Sequence, residues 1–189
     1  YKEEHRYYHT WEHILSGFDM AEKINEYSMD LTSEIAWLFH DIIYLPFNIN
    51  SELSNEKLSS QFLVFFLKSN YLQFYLNYTE EIEEAQKIIL GTEHHTPYDE
   101  RTEMLYDIDL SYLGLRYDKF IVQRQLVREE YSWITEEEFI YGTLKFYDNI
   151  LNKENIFFTE YGKTVLEKRC KENLNKNKEE LQNIVKEEK

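Results

Sequence analysis

The stretch Thr32-Ser33-Glu34-Ile35-Ala36-Trp37-Leu38-Phe39-His40-Asp41-Ile42-Ile43-Tyr44 decides the fold class and centres the chemistry. Ile35, Ala36, Phe39, Ile42 and Ile43 return at spacings of three and four, which is the signature of an amphipathic helix. Asp30 or Thr32 is placed to cap its start, and Pro46 closes it. Within this apolar run lies one adjacent ionisable pair, His40-Asp41. A carboxylate among apolar neighbours needs a partner or a metal ion to offset its desolvation.

The same periodicity continues outward in both directions. Upstream, Ile14, Phe18, Ala21 and Ile24 form one stripe on a helix that starts near Thr10. Downstream, helices are expected over 54–68, 79–90 (stopped by Gly91), 100–113 (stopped by Gly114), 117–131 and 135–151. From Tyr161 a Lys/Glu/Asn-rich amphipathic helix follows, expected to fray after Leu174. Five glycines and two prolines in 189 residues leave these helices uninterrupted, and no Asn-Gly or Asp-Gly hairpin signal occurs. The expected fold is all-α, a single-domain bundle of about seven to eight helices, because the length supports one core. The domain is expected over 1–174, with 175–189 a charged helix end or tail.

Charge and cysteine usage limit the partners. A formal charge of -15 repels polyanions over a Debye length of about 8 Å, so no long nucleic acid is expected as a partner. A small phosphate ester stays admissible, because a bound cation reverses the potential locally. Cys170 is the single cysteine, which excludes an internal disulfide and points to a reducing, cytoplasmic compartment. No apolar run approaches the roughly 18 residues of a membrane span, so no membrane partner is expected. Oligomeric state is not readable.

The six histidines fall in three places: His5, His9 and His13, then His40, then His94-His95. His9 and His13 are four apart and share one helix face, with Cβ atoms roughly 5 to 6 Å apart. Imidazole and carboxylate together suit Zn, Fe, Mn, Ni or Co. The segment Leu105-Tyr106-Asp107-Ile108-Asp109-Leu110 places two further carboxylates in an apolar helix, either of which is a candidate ligand.

These residues together resemble the HD superfamily of metal-dependent phosphohydrolases, whose pattern is a His, an adjacent His-Asp and a distant Asp. More closely, 6–14, 36–44, Asn55-Glu56, Thr92-Glu93-His94-His95 and 107–114 look like successive blocks of a little-characterised predicted phosphohydrolase subgroup, with Glu167, Arg169 and Asn173 resembling its closing block. The resemblance covers nearly the whole chain and implies an HD-type helical bundle. It implies His13, His40, Asp41 and Asp109 as ligands of a divalent metal, whether Mn, Fe, Zn, Ni, Co or Mg. Asp109-Leu110-Ser111 resembles the Asp-Leu-Ser of cyclic-nucleotide phosphodiesterases, which favours Asp109 over Asp107 and leaves Asp107 beside the site. The first block resembles the His-Asn-x-x-His element of the same enzymes, making His9 the candidate proton donor, with Thr10 in place of the Asn.

Glu56 is implied as a general base or as the residue orienting water, and Arg6 as a bidentate phosphate partner. His94 and His95 are offered to a second metal, to a substrate phosphate, or to neither. Tyr7, Tyr8 and Tyr44 belong either to a base or sugar pocket or to the core. The Glu-Asp element of stringent-response hydrolases is absent, because Ile42-Ile43-Tyr44-Leu45 follows the pair. The expected activity is hydrolysis of a small, nucleotide-like phosphate ester. Two alternatives stand beside it: a dinuclear-iron oxygenase of the HD type, and a non-catalytic, metal-stabilised nucleotide-binding or interaction module.

Overall fold

The computed structural model describes residues 1–24, 29–47 and 53–187. Among these the chain is all-helical, with nine α-helices: α1 (Trp11–Ile24), α2 (Leu31–Phe39), α3 (Asn55–Asn70), α4 (Leu72–Asn77), α5 (Thr79–Gly91), α6 (Glu100–Leu110), α7 (Tyr117–Glu130), α8 (Glu136–Leu151) and α9 (Glu167–Glu187). A 3-10 turn spans Ser111–Gly114 and a π-helical turn Gly162–Leu166. The chain divides into two compact units, Tyr1–Tyr106 and Asp107–Lys189.

In the first unit α5 is the central helix, packed against both α2 and α3. Its Ile82, Ala85, Ile88 and Ile89 are buried at the spacing of one helical face. Local chemistry sets the helix starts. Asp30 accepts from the Ser33 amide at 2.8 Å to begin α2, and Ser54 accepts from the Lys57 amide at 3.3 Å to begin α3. The fold also depends on a close approach of α1 and α2. Trp37 on α2 donates its indole N–H to the Ile14 carbonyl at 2.8 Å, and a Cβ at Gly17 would stand 2.0 Å from its ring. Gly17 therefore admits the indole, which offsets the roughly 1 kcal/mol that a glycine costs inside a helix.

The second unit builds its own core from Leu113, Phe120, Ile140, Tyr147, Ile156, Phe157, Leu166, Cys170 and Leu174. Helix α8 begins with a reciprocal capping box between Thr135 and Glu138. The terminal helix does not fray after Leu174. It runs to Glu187, with Asn177 and Leu181 buried, the Tyr147 hydroxyl donating to Asn177 at 2.9 Å, and Lys178 paired with Asp148. The polar residues that suggested a tail are thus the outer face of a packed helix and part of its inner one.

A further difference lies at the end of α2. The helix stops at Phe39, and His40, Asp41 and the residues after them form a turn. Tertiary donors replace the helical ladder there: Arg6 binds the Asp41 and Ile42 carbonyls at 2.8 and 3.0 Å, and Ser59 bonds both the amide and the carbonyl of Ile43 at 3.1 Å. The Asn55 side chain accepts from the Leu45 amide at 3.1 Å. The apolar pattern beyond Phe39 therefore marks a packed turn, not helix.

Candidate metal centre

His13 lies on the buried face of α1 and His40 caps the C-terminal end of α2, so two backbone elements of the first unit bring two imidazoles together. Their ring centroids are 5.5 Å apart, and both rings are almost fully buried. Asp41 follows directly, with Oδ2 at 2.9 Å from His40 Nε2 and 3.7 Å from His13 Nε2. One carboxylate oxygen thus meets both imidazole nitrogens.

The orientation of His40 is fixed from behind. Its Nδ1 lies 2.8 Å from the Trp37 carbonyl, and because a carbonyl only accepts, Nδ1 carries the proton. In the neutral ring Nε2 then presents a lone pair toward Asp41, the tautomer that metal-ligating histidines adopt. A lone pair and a carboxylate oxygen at 2.9 Å require a positive charge to join them, either a second proton on the ring or a cation. Trp37 also stacks on the His40 ring, with centroids 4.3 Å apart and planes 18° apart. The indole that Gly17 admits therefore forms one wall of the His40 pocket.

The other expected residues divide into groups. His9 is half-buried, stacked on Tyr44 at 3.9 Å and 6.0 Å from the His13 ring, so it shares the neighbourhood of the pair. Tyr8 and Tyr44 are core residues at 8% exposure, Tyr8 lying 4.9 Å from the His13 ring, whereas Tyr7 is exposed. His5 bonds the Tyr44 carbonyl at 2.8 Å through Nε2. Arg6 is buried, with its guanidinium on the carbonyls of His9, Asp41 and Ile42 and on Glu3. That position makes Arg6 the brace between the N-terminal segment and the His40-Asp41 turn. Glu56 is half-buried in the first turn of α3, between Asn55 and Ser59, the two residues that hold 43–45.

His94 is exposed, and His95 is half-buried with its ring 5.5 Å from Tyr106. His95 has a left-handed φ of 49°, and its amide donates to the Gly91 carbonyl at 2.9 Å, so it closes the end of α5 in the position that glycine commonly fills.

Asp107 and Asp109 separate in the structure. Asp107 is fully buried in the second unit, and its carboxylate accepts from the Phe158 amide at 2.9 Å, the Thr159 amide at 2.9 Å and the Thr159 hydroxyl at 2.6 Å. It fastens the turn before Gly162, where a Cβ would stand 2.3 Å from its Oδ2. Asp109 is half-buried near the end of α6. The sequence reading assigns no role to Trp37, Gly17, Asn55 or Ser59, all of which position the His40-Asp41 turn. A glycine inside the α1 stripe, in a chain with only five, was the available signal.

No family model, curated protein or solved structure matches this chain. Two buried imidazoles and carboxylate oxygens are a donor set that suits a divalent first-row ion. Among the described residues no helix is long and apolar enough to cross a membrane.

Proposed function

We propose that the protein is a metal-dependent phosphohydrolase acting on a small, nucleotide-like phosphate ester, with His13, His40 and Asp41 as ligands of a divalent ion and Asp109 implied by the resemblance as a fourth. The observation that carries the reading is the tautomer of His40: Nδ1 is committed to the Trp37 carbonyl, so Nε2 addresses the Asp41 carboxylate that also faces His13. The donor set fits the ion, since it joins neutral imidazole nitrogens to carboxylate oxygens with no thiolate. Asp109 enters through its resemblance to the closing Asp of HD enzymes and its place on α6.

When bound, a divalent ion supplies acidification of water and polarisation of a phosphoryl oxygen. The chain's own residues do the rest. Asp41 and the two imidazoles offer the ion its donor atoms, Trp37 and Tyr8 keep bulk water from the ring faces, and His9 delivers a proton to the departing ester oxygen. Glu56 accepts the proton of the attacking water. The acidic surface repels polyanions and so restricts the substrate to small phosphates.

Metal analysis of protein purified without added metal, followed by assay on nucleotides and phosphate monoesters, tests this. Near-stoichiometric metal and phosphate release in wild type, both absent in His40→Ala, support it. Failure of wild type to hold metal after reconstitution, with turnover equal to His40→Ala on every substrate, would sink it. Iron at two per chain with oxygen consumption would instead establish the oxygenase class, and metal binding without any turnover the non-catalytic one.

A further inference from the structure

We propose that Arg6 is a positioning residue of the metal centre, which sets the ligand Asp41 and the proton donor His9 in register through their backbone and does not meet the phosphate. The inference rests on the reading of His13, His40 and Asp41 as ligands. It starts from the end of α2: the helix stops at Phe39, so the carbonyls that follow leave the helical ladder while lying beside two almost fully buried imidazoles.

Side chains from the first six residues serve those carbonyls. The Tyr1 hydroxyl donates to the Leu38 carbonyl at 2.9 Å, and His5 Nε2 bonds the Tyr44 carbonyl at 2.8 Å. Between them Arg6 donates to the Asp41 and Ile42 carbonyls at 2.8 and 3.0 Å and to the His9 carbonyl at 3.0 Å. A single nitrogen, Nη1, serves both His9 and Asp41, so one planar group fixes the separation of two peptide units remote in sequence. The same guanidinium lies 5.7 Å from the centre of the Tyr44 ring, which stacks on His9 at 3.9 Å. A displacement of Arg6 therefore reaches the His9 imidazole through its own peptide and through Tyr44, and reaches Asp41 through the turn.

The donor count separates this role from phosphate binding. Each terminal nitrogen of a guanidinium carries two N–H groups. Those of Nη1 go to His9 and Asp41, and those of Nη2 to Ile42 and to Glu3 Oε1 at 3.3 Å, while Nε pairs with Glu3 Oε2 at 2.9 Å. The Arg6 side chain is 1% exposed, so a phosphate would have to displace the carbonyls to reach it. A lysine cannot take its place, because an ammonium is a point charge and does not span three carbonyls.

Cobalt(II) titration of the full chain, followed by visible absorption and set beside thermal unfolding of the metal-free protein, tests the assignment. Arg6→Lys keeps the charge and loses the fork. It is expected to weaken cobalt affinity about 10- to 100-fold, as loss of a group that orients a ligand from behind does, and to alter the visible bands of the bound ion. Glu3→Gln, at a carboxylate 46% exposed, loosens the guanidinium's anchor and gives a smaller loss in the same direction, which keeps the test decisive if Arg6→Lys does not fold. Arg101→Lys weakens the pair with Asp30 at the other end of α2 and is the structural control, lowering the unfolding temperature with cobalt affinity unchanged. A wild type that takes up no cobalt overturns the ligand reading and this inference together. A wild type that binds cobalt, with folded Arg6 and Glu3 variants that bind it as tightly, overturns this inference alone. So does intact cobalt affinity in Arg6→Lys with a raised KM for phosphate monoesters, the mark of a phosphate contact, or a loss of affinity that Arg101→Lys shares.

Discussion

Asp41 and Asp107 both lie in apolar stretches of an acidic chain, and their carboxylates are satisfied in opposite ways. Around Asp107 the donors are amides and a hydroxyl of Phe158 and Thr159, fixed by the backbone and sealed from solvent. Around Asp41 the facing groups are the Nε2 atoms of two imidazoles, at 2.9 and 3.7 Å, groups that change protonation and bind metals. The first arrangement holds two segments of the second unit together. The second is open to chemistry. Burial of a carboxylate therefore does not distinguish structure from function, whereas the chemistry of the groups that face it does.

This contrast can be broken most directly at Asp107. Asp107→Ala leaves buried amides without an acceptor and is expected to cost about 3 to 5 kcal/mol in urea unfolding. A loss under about 1 kcal/mol would show that the Phe158-Thr159 turn is held by something else. Asp41→Asn should invert the pattern, with metal affinity falling at least about a hundredfold while stability changes by about 1 kcal/mol or less. Titration calorimetry beside urea unfolding separates the two readouts, and a large stability loss with intact affinity would make Asp41 a second Asp107. Gly17→Ala forces the Trp37 indole away from α1 and should cost about 1 to 3 kcal/mol, with weaker metal binding because His40 loses its wall.

A smaller effect is expected at the start of α2. Burial raises the Asp30 carboxyl, but hydrogen bonds from Ser33 and the Arg101 guanidinium outweigh it and hold the group below its ordinary range. A depressed carboxylate contributes stability that is complete above the unfolded value of about 4 and is lost as pH falls through the folded one. Asp30→Ala should therefore cost about 1 kcal/mol near neutrality, and less as the solution is acidified. An unfolding series that gave the same difference at every pH would remove Asp30 from the acid response. Least of all is expected at Cys170, where burial pushes the thiol up to about 12 and a thiol reagent should react only on unfolding.

Helix existence was legible in the sequence because it is local. Thr135 with Glu138, Ser54 before α3 and Gly91 at the end of α5 are signals contained within a few residues of the boundary they set. The end of α2 was not legible, because Arg6, Asn55 and Ser59, which replace its ladder, are remote in sequence. Helix α4 escaped because it is too short to show a period. The role of Asp107 depended on donors some fifty residues away, which no local pattern reports. The convergence of His13 with His40-Asp41 was anticipated from residue chemistry and resemblance, while the indole that orients His40 was not.

The Trp37–His40 stack gives the molecule an intrinsic optical reporter. Trp11 and Trp133 are about half exposed, whereas Trp37 is 2% exposed against the imidazole. Acrylamide should silence the two surface indoles and leave blue-shifted emission from the buried one. Because a protonated imidazole quenches an indole in contact with it, that residual light would follow the charge state of His40, and hence the occupancy of the centre, without a label.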